Sequence, residues 1–234
     1  MIRILFFVLS FSFLNLSYSK GGDMIKNIAD NIKWFGHASL MLKIDGKNIF
    51  IDPWKLKKVK EKADIILITH SHFDHFSEDD IKKILKPDTF LYSSEDVVNK
   101  VSVKNKKIIK PFEEVSLGSI IIKGFPAYNT NKNFHPKSNN WLGFIIEYGG
   151  VSIYIAGDSD VTEEAKKIKA NIMILPIGGT YTMNDFEAAE LVNLVKPEYA
   201  IPIHFGDVVG TKENAFKFKS LVNKPTVVLI KEKN

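Results

Sequence analysis

Seven consecutive residues, THSHFDH at positions 69–75, contain three of the six histidines of this 234-residue chain. His70 and His72 are two residues apart, so in extended backbone their side chains project to the same side and could bind one metal ion. Asp74 and His75 follow where the chain turns towards a helix, which lets them address a second position beside the first. Imidazole nitrogen and carboxylate oxygen are ligands for Zn²⁺, and also for Mn²⁺ or Fe. The segment therefore predicts a metal site.

The elements that position this segment follow from the apolar pattern around it. Two apolar runs on either side of Asp45-Gly46 predict a β-hairpin, because glycine accepts the positive φ that the tight turn requires. The run ADIILITH, residues 63–70, shows no alternation and predicts a strand buried on both faces. Ser77 begins a short helix. A strand that ends just before His70 would deliver the candidate metal ligands to the edge of a sheet.

The second half of the chain repeats this order of elements. A second hairpin pattern surrounds Gly149-Gly150 and leads to Asp158, as the first leads to Asp52, and the apolar run ANIMILPI, residues 170–177, matches ADIILITH. We interpret this as a diverged internal duplication, the alternative being a chance likeness between ordinary α/β units. Two such halves pack most simply as two sheets face to face with helices outside, in four layers. The loops at the carboxyl ends of the buried strands would then meet at one edge.

The segment HSHFDH resembles the signature of the metallo-β-lactamase fold superfamily, and the resemblance extends from about Ile32 to the end of the chain. WFGHAS near the start and PIGGTYTM after the second buried strand are similar to segments of the branch that contains the ascorbate-6-phosphate lactonase and other small hydrolases. The resemblance implies an α+β fold, an αββα four-layer sandwich of two duplicated halves with a metal site at one edge. The hydrolase domain would span residues 24–234.

Carried over residue by residue, the resemblance implies seven ligands for two metal ions. They are His70, His72 and His135 for the first ion, Asp74, His75 and His204 for the second, and Asp158 bridging both. Asp52 would support the site from behind. His135 is the only histidine between His75 and Asp158, but relatives place this ligand directly after a strand, where this chain has Asn129. Two possibilities stay open: His135 is the ligand, or Asn129 or water is the ligand and His135 reaches the substrate.

Three further residues are candidates for the surroundings of the site. His37, in the segment GHAS, is either a hydrogen-bonded packing residue or a pocket residue that supports a ligand or contacts substrate. Thr180 and Tyr181 lie in the second half where HSHFDH lies in the first, so they are expected to face the substrate. The alternative for that segment is a glycine-rich turn in which Asn184 caps the next helix.

The resemblance implies hydrolysis of an ester, lactone or phosphoester by a hydroxide that bridges two divalent ions, with Asp74 and Asp158 as catalytic carboxylates. Zn²⁺ is the expected metal, with Mn²⁺ or Fe as alternatives. The other functions considered are a metal-binding or sensing module without turnover and a β-lactamase. A small-molecule substrate is expected. The net charge of +5 comes from scattered lysines rather than a block, so no nucleic-acid partner is expected.

The amino-terminal residues predict export. Arg3 precedes an uncharged apolar run over residues 4–16, and small residues follow, so residues 1–19 are interpreted as a cleavable signal peptide. The run is shorter than the ~20 apolar residues that a membrane-spanning helix needs, so no membrane span is expected after cleavage; a retained anchor is the alternative. The mature protein would be periplasmic or extracellular. The chain has no cysteine, which excludes disulfides and thiolate ligands.

Overall fold

The computed structural model describes residues 21–234, and the predicted signal peptide lies outside the described residues. One six-stranded sheet runs in the order β1 to β6 and one seven-stranded sheet in the order β13 to β7. The first sheet consists of β1 (Lys33–Gly36), β2 (Ser39–Ile44), β3 (Lys47–Ile51), β4 (Ile65–Ile68), β5 (Phe90–Ser93) and β6 (Asn105–Ile108). The second consists of β7 (Glu114–Leu117), β8 (Ile120–Pro126), β9 (Leu142–Tyr148), β10 (Val151–Ile155), β11 (Ile172–Pro176), β12 (Tyr199–Ile203) and β13 (Val227–Val228).

Five α-helices accompany the sheets in the described part of the chain. They are α1 (21–31), α2 (Glu78–Ile84), α3 (Glu95–Val98), α4 (Asp185–Val195) and α5 (Lys212–Leu221). The predicted cap of α2 is confirmed, and α4 has the cap that the alternative interpretation of residues 178–183 named. The Ser77 side chain accepts a hydrogen bond from the backbone N–H of Asp80 at the start of α2, and Asn184 forms a capping box with Glu187 at the start of α4. No helix within residues 21–234 is long and apolar enough to cross a membrane.

Both predicted hairpins are present, and both use the same turn chemistry. β2 pairs antiparallel with β3, and β9 pairs antiparallel with β10. Asp45 and Gly46 have φ values of 51° and 72°, and Gly149 and Gly150 have values of 57° and 83°. Two successive residues with positive φ form the turn whose twist suits a two-residue hairpin. After each hairpin the sheet continues with parallel strands, β4 and β5 in one half and β11 and β12 in the other, so the repeated order of elements is observed.

Alternation of side chains along the strands produces the layers. In β2, Leu40 and Leu42 belong to the core cluster that also contains residues of the second sheet such as Phe144 and Ile153. Met41, between them, belongs to a second cluster that α2 and α3 cover. One face of the first sheet therefore packs on the second sheet and the other on helices. The predicted αββα sandwich is confirmed, with α4 and α5 contributing to the core cluster on the second sheet's side.

Candidate metal centre

The candidate ligands lie on loops that leave the two sheets at their carboxyl edges. Asp52 follows β3, residues 70–75 follow β4, Asp158 follows β10 and His204 follows β12. β3 is parallel to β4, and β10 is parallel to β12 through β11. β1 is parallel to β3 because each is antiparallel to β2, so His37, which follows β1, emerges at the same edge. The topology alone places these five segments together.

Hydrogen bonds between the halves close this edge. The backbone N–H of His204 donates to the carbonyl of His37 at 2.8 Å, and the backbone N–H of Leu142 donates to the carbonyl of Thr69 at 3.0 Å. All six histidines of the chain gather here with two aspartates. Five of the histidines are buried, and His72 is half-buried. Among the histidines of the cluster, His72 is therefore the one most accessible to solvent.

Three histidines form the first group that could hold a cation. His70, His72 and His135 each offer a ring nitrogen, and these atoms all lie within 4.8 Å of one another. The Nε2 atom of His70 lies 3.0 Å from the Nδ1 atom of His72. Two of these residues come from the loop after β4 and the third comes from the loop after β8, so the group is shared between the halves.

A second group lies beside the first and contains a carboxylate. His37, Asp74, His75 and His204 each offer one atom within 4.8 Å of the others. The Oδ2 atom of Asp74 lies 3.9 Å from the Nε2 atoms of both His75 and His204. His37 and His204 have unusual left-handed backbone conformations, with φ values of 51° and 58°. Non-glycine residues in this region are uncommon and concentrate at functional sites.

Asp158 lies between the two groups. Its Oδ2 atom is 3.2 Å from the Nε2 atom of His135 in the first group and 3.2 Å from that of His204 in the second. Its Oδ1 atom is 3.3 Å from the Nε2 atom of His75. Gly157 makes this approach possible, because a Cβ atom there would clash with the carbonyl oxygen of Leu142. The arrangement is that of a carboxylate able to contact two cations at once.

Buried nitrogen atoms without partners show that these residues fit a metal. In the described part of the chain, His75, His135 and His204 each bury an Nε2 atom that has no hydrogen-bond partner. Leaving such an atom unpaired costs about 1–3 kcal/mol. All three atoms face Asp158, and imidazole nitrogens with carboxylates are the donors that Zn²⁺, Mn²⁺ and Fe accept. A cation would satisfy every one of these nitrogens.

The electrostatics favour cations as well. Burial raises the pKa of Asp158, but the neighbouring His204 and His75 outweigh it and hold that pKa well below its usual range. Burial likewise raises the pKa of Asp74, but the hydrogen bond from His37 and the charge of His75 together outweigh it and lower that pKa to about 2. Burial lowers the pKa of His70 well below its usual value. The site therefore offers ionised carboxylates and a neutral imidazole near neutral pH.

Comparison with known proteins agrees with this geometry. A family model described as the beta-lactamase superfamily domain matches residues 31–204. The chain belongs to this superfamily. It is 31% identical over 212 residues to a UPF0173 protein of Pyrococcus abyssi, covering 86% of this chain and 95% of the relative. It is 30% identical over 218 residues to a UPF0173 metal-dependent hydrolase of Sulfurisphaera tokodaii, covering 83% and 96%.

A crystal structure from Parabacteroides distasonis has the same fold, with a TM-score of 0.75 and 33% sequence identity, and the match covers 87% of this chain and 93% of that one. The predicted resemblance to the metallo-β-lactamase fold superfamily is therefore confirmed. The superfamily match and the hydrolase relatives also confirm the prediction that the chain is an enzyme.

Asp52 forms hydrogen bonds with His75 and with Thr69, the residue directly before the candidate ligand His70. Its Oδ2 atom lies 2.8 Å from the Nδ1 atom of His75, and its two oxygens accept hydrogen bonds from the backbone N–H and the hydroxyl of Thr69 at 2.7 and 2.8 Å. The Thr69 hydroxyl also lies 2.9 Å from the Nδ1 atom of His70. A carboxylate that accepts from Nδ1 keeps the proton there and leaves Nε2 free to bind a metal.

His37 has a definite place in the site of this superfamily member. Its Nε2 atom lies 2.8 Å from the Oδ2 atom of Asp74, and its carbonyl accepts from the indole N–H of Trp34 at 2.8 Å. Its ring lies against that of His204, with centroids 3.9 Å apart. Burial lowers the pKa of His37 to about 4, so the ring is neutral and donates from Nε2 to the carboxylate. His37 thus holds Asp74 and touches His204, one from each half.

Asn129 and His135 are both in the site, and the geometry distinguishes their parts. The Oδ1 atom of Asn129 accepts from the backbone N–H of His135 at 2.9 Å, and its Nδ2 atom donates to the carbonyl of Tyr181 at 3.0 Å. The Nδ1 atom of His135 lies 3.2 Å from both that Asn129 oxygen and the Tyr181 carbonyl. Because Asn129 uses both its polar atoms in this way, the geometry favours His135 as the ligand and Asn129 as the residue that orients it.

A surface network braces the loop that carries His135. Lys137 donates to Glu164 at 2.9 Å, and the hydroxyl of Tyr128 donates to the other carboxylate oxygen of Glu164 at 2.7 Å. Mainly through these two hydrogen bonds, Lys137 and Tyr128 lower the pKa of Glu164 to about 2. The loop is therefore fixed at both ends, before Asn129 and after His135.

That Thr180 and Tyr181 face the substrate stays a prediction. The side chain of Thr180 is exposed, and the carbonyl of Tyr181 lies 3.2 Å from the Nδ1 atom of His135. The sequence reasoning missed Trp141, whose ring lies 4.8 Å from that of His70 and 4.7 Å from that of His72 between centroids. The signal in the sequence was its position at the end of the long polar loop, directly before β9.

Proposed function

We propose that this protein is a metal-dependent hydrolase with a two-ion centre, and that it cleaves an ester, lactone or phosphoester of a small molecule. The observation that carries the proposal is the convergence of the unpaired, buried Nε2 atoms of His75, His135 and His204 on Asp158. The relatives' description as metal-dependent hydrolases supports the reaction class. Zn²⁺ is the proposed metal, since three imidazoles suit it.

The proposed holders of the two ions follow from the two groups. His70, His72 and His135 would hold the first ion. Asp74, His75 and His204 would hold the second, and Asp158 would contact both. Divalent ions bound in this way lower the pKa of water enough to supply hydroxide near neutral pH and polarise a substrate oxygen.

The protein's own residues orient and charge this centre. Asp74 and Asp158 carry the negative charge that draws cations into a buried cluster of imidazoles. Asp52 keeps the proton of His75 on Nδ1, and Asn129 with the Tyr181 carbonyl does the same for His135. The half-buried His72 marks the side from which a substrate enters, because the other histidines are covered.

Metal content and turnover test the proposal together. Purified protein is expected to contain close to two equivalents of divalent metal by plasma mass spectrometry, and Asp158→Ala and His70→Ala are expected to lower that content. Metal-loaded protein is expected to hydrolyse at least one member of a panel of esters, lactones, phosphodiesters and β-lactams, with the activity lost in Asp158→Ala. A matched control is Asp64→Asn, whose carboxylate accepts from the backbone N–H of Asn48 and pairs with Lys86 away from the site.

Three outcomes would contradict the proposal. Substoichiometric metal that is unchanged in both variants would rule out the centre. Full metal loading without turnover on any class of substrate would instead favour a binding or sensing module. Hydrolysis confined to the β-lactam members would identify a β-lactamase.

We also propose that the protein is exported. The support is the sequence alone, an apolar run over residues 4–16 after Arg3. Mass spectrometry of the protein recovered outside the cytoplasmic membrane is expected to show an amino terminus near Lys20. A protein that stays in the cytoplasm with residues 1–19 attached would contradict it.

A further inference from the structure

Two exposed aromatic side chains are chain neighbours of histidines in the first group. His72 is the half-buried member of the first group. The residue after it, Phe73, is 70% exposed, and the residue before His135, Phe134, is 48% exposed. Each phenylalanine is therefore the chain neighbour of a histidine of the same group, and the rings of those two histidines lie 5.1 Å apart between centroids.

Each exposed ring is backed by a second aromatic ring. Phe73 lies edge-on to Trp54, with centroids 6.3 Å apart, and Trp54 itself is buried beside His37. Phe134 lies edge-on to Tyr181 at 4.8 Å. Each exposed phenylalanine therefore has a second aromatic ring packed beside it, and in both cases that second ring belongs to a residue whose neighbours are site residues.

A third aromatic ring, that of Trp141, lies against the histidines of the first group. Trp141 packs against His70 and His72, and its indole N–H donates to Asp96 at 3.0 Å, so its polar atom is already used and its ring face is what remains for a ligand. The two lysines of the same loop are paired with carboxylates, Lys132 with Asp160 and Lys137 with Glu164. The lysines of this loop are therefore paired, and aromatic ring surface beside His72 remains for apolar contact.

We infer that Phe73, Phe134 and Trp141 form an apolar subsite beside the first metal position, which binds an alkyl or aryl group attached next to the hydrolysed bond of the substrate. The inference rests on the proposed function, since it assigns the substrate class of the same site. Exposed aromatic surface at a site of this kind is typical of ligand binding. The preferred substrates are then esters or lactones with a chain of several carbons, ahead of small polar ones.

Binding of hydroxamic acids by calorimetry tests the subsite without requiring turnover. Their head group chelates divalent metal, so acetohydroxamate reports the metal centre and octanohydroxamate reports the centre together with any apolar subsite. Each fully buried methylene strengthens binding about fourfold. Because the subsite would bury only part of the alkyl chain, we expect octanohydroxamate to bind on the order of 10- to 100-fold more tightly than acetohydroxamate.

The variants identify where the gain arises. The chain-length gain is the ratio of the affinity for octanohydroxamate to that for acetohydroxamate. Phe73→Ala and Phe134→Ala are each expected to reduce this gain roughly three- to tenfold, while acetohydroxamate binding and metal content stay at the wild-type level. Phe73→Leu keeps an apolar side chain and is expected to retain most of the gain. Phe186→Ala is the matched control, since Phe186 is 51% exposed at the start of α4 and is expected to change nothing.

The outcomes separate this inference from the proposed function. Equal affinity for the two hydroxamates, or a gain that persists in both alanine variants, would overturn the subsite and leave the hydrolase proposal standing. Failure of acetohydroxamate to bind the metal-loaded protein would overturn the proposed centre, and the subsite with it.

Discussion

Replacing Asp52 with asparagine changes one atom in a buried network and should weaken metal binding at one of the two proposed positions. Asp52 accepts three hydrogen bonds, two from Thr69 and one from the Nδ1 atom of His75. An asparagine can still accept from the Thr69 backbone through its oxygen. Its NH₂ group then faces His75, and because that group can only donate, the imidazole must accept through Nδ1 and carry its proton on Nε2. That is the atom that has to bind the metal.

The expected size of the effect follows from this tautomer change. Residues that orient a metal-binding histidine typically contribute 10- to 100-fold to metal affinity, so the second ion should bind Asp52→Asn about 10- to 100-fold more weakly. The first group is expected to be affected much less, because His70 keeps its own contact with Thr69. The fold should persist, since the substitution preserves the shape and the hydrogen bond from the Thr69 backbone, and the Thr69 hydroxyl can accept from the new NH₂ group.

Competition with a chromophoric chelator measures both affinities in one titration. Wild-type protein should show two tight equivalents and Asp52→Asn one tight and one weakened equivalent. Asp64→Asn, at a half-buried carboxylate remote from the site, serves as the control and should match the wild type. Two wild-type affinities in Asp52→Asn would refute the assignment of Asp52 as the residue that sets the His75 tautomer.

Three further predictions concern the support of the site. His37→Ala should weaken binding of the second ion about tenfold by freeing Asp74, and His37→Gln, which retains an N–H donor, should recover most of it in the same titration; equal losses would contradict the hydrogen-bond role. Glu164→Gln should lower the free energy of unfolding by about 0.5–1 kcal/mol at neutral pH. Because the folded pKa of Glu164 is about 2 and the unfolded value is roughly 4.3, this contribution is complete above the unfolded value and is lost as pH falls towards 2. Urea titrations across that range should show the difference shrinking, and a constant difference would refute the pairing. Gly178→Ala places a Cβ atom 2.5 Å from the carbonyl oxygen of His204. It should lower the free energy of unfolding by about 1–3 kcal/mol and reduce the amount of bound metal, as measured by thermal melting and metal analysis. An unchanged melting temperature would show that the loop adapts.

Much of the fold could be predicted because its signals are local. The Asp45-Gly46 and Gly149-Gly150 dipeptides predict hairpin turns because they accept the positive φ values that such turns require. The uninterrupted apolar run before His70 indicates a strand covered on both faces. The repeat of this order along the chain then places the strand ends at one edge. By contrast, α5 was not predicted, because its apolar stripe is weak and its residues are mostly polar.

The site could be predicted as a set of residues but not as a set of contacts. His135 follows from its position in the chain, yet the residues that orient it, Asn129 and the carbonyl of Tyr181, come from different loops whose meeting no local pattern encodes. The same holds for His37, whose bond to Asp74 depends on a left-handed backbone conformation and on the packing of the two halves. A backbone carbonyl can come from any residue type, so the contact between the Tyr181 carbonyl and His135 could not be predicted from the sequence.

The most direct test of the two-ion centre is an anomalous difference map from crystals of the full chain grown with Zn²⁺, recorded at the zinc edge. Two peaks are expected, one among His70, His72 and His135 and one among Asp74, His75 and His204, with Asp158 between them. A map with no peak in this cluster, or with zinc bound only elsewhere on the molecule, would contradict the proposed centre.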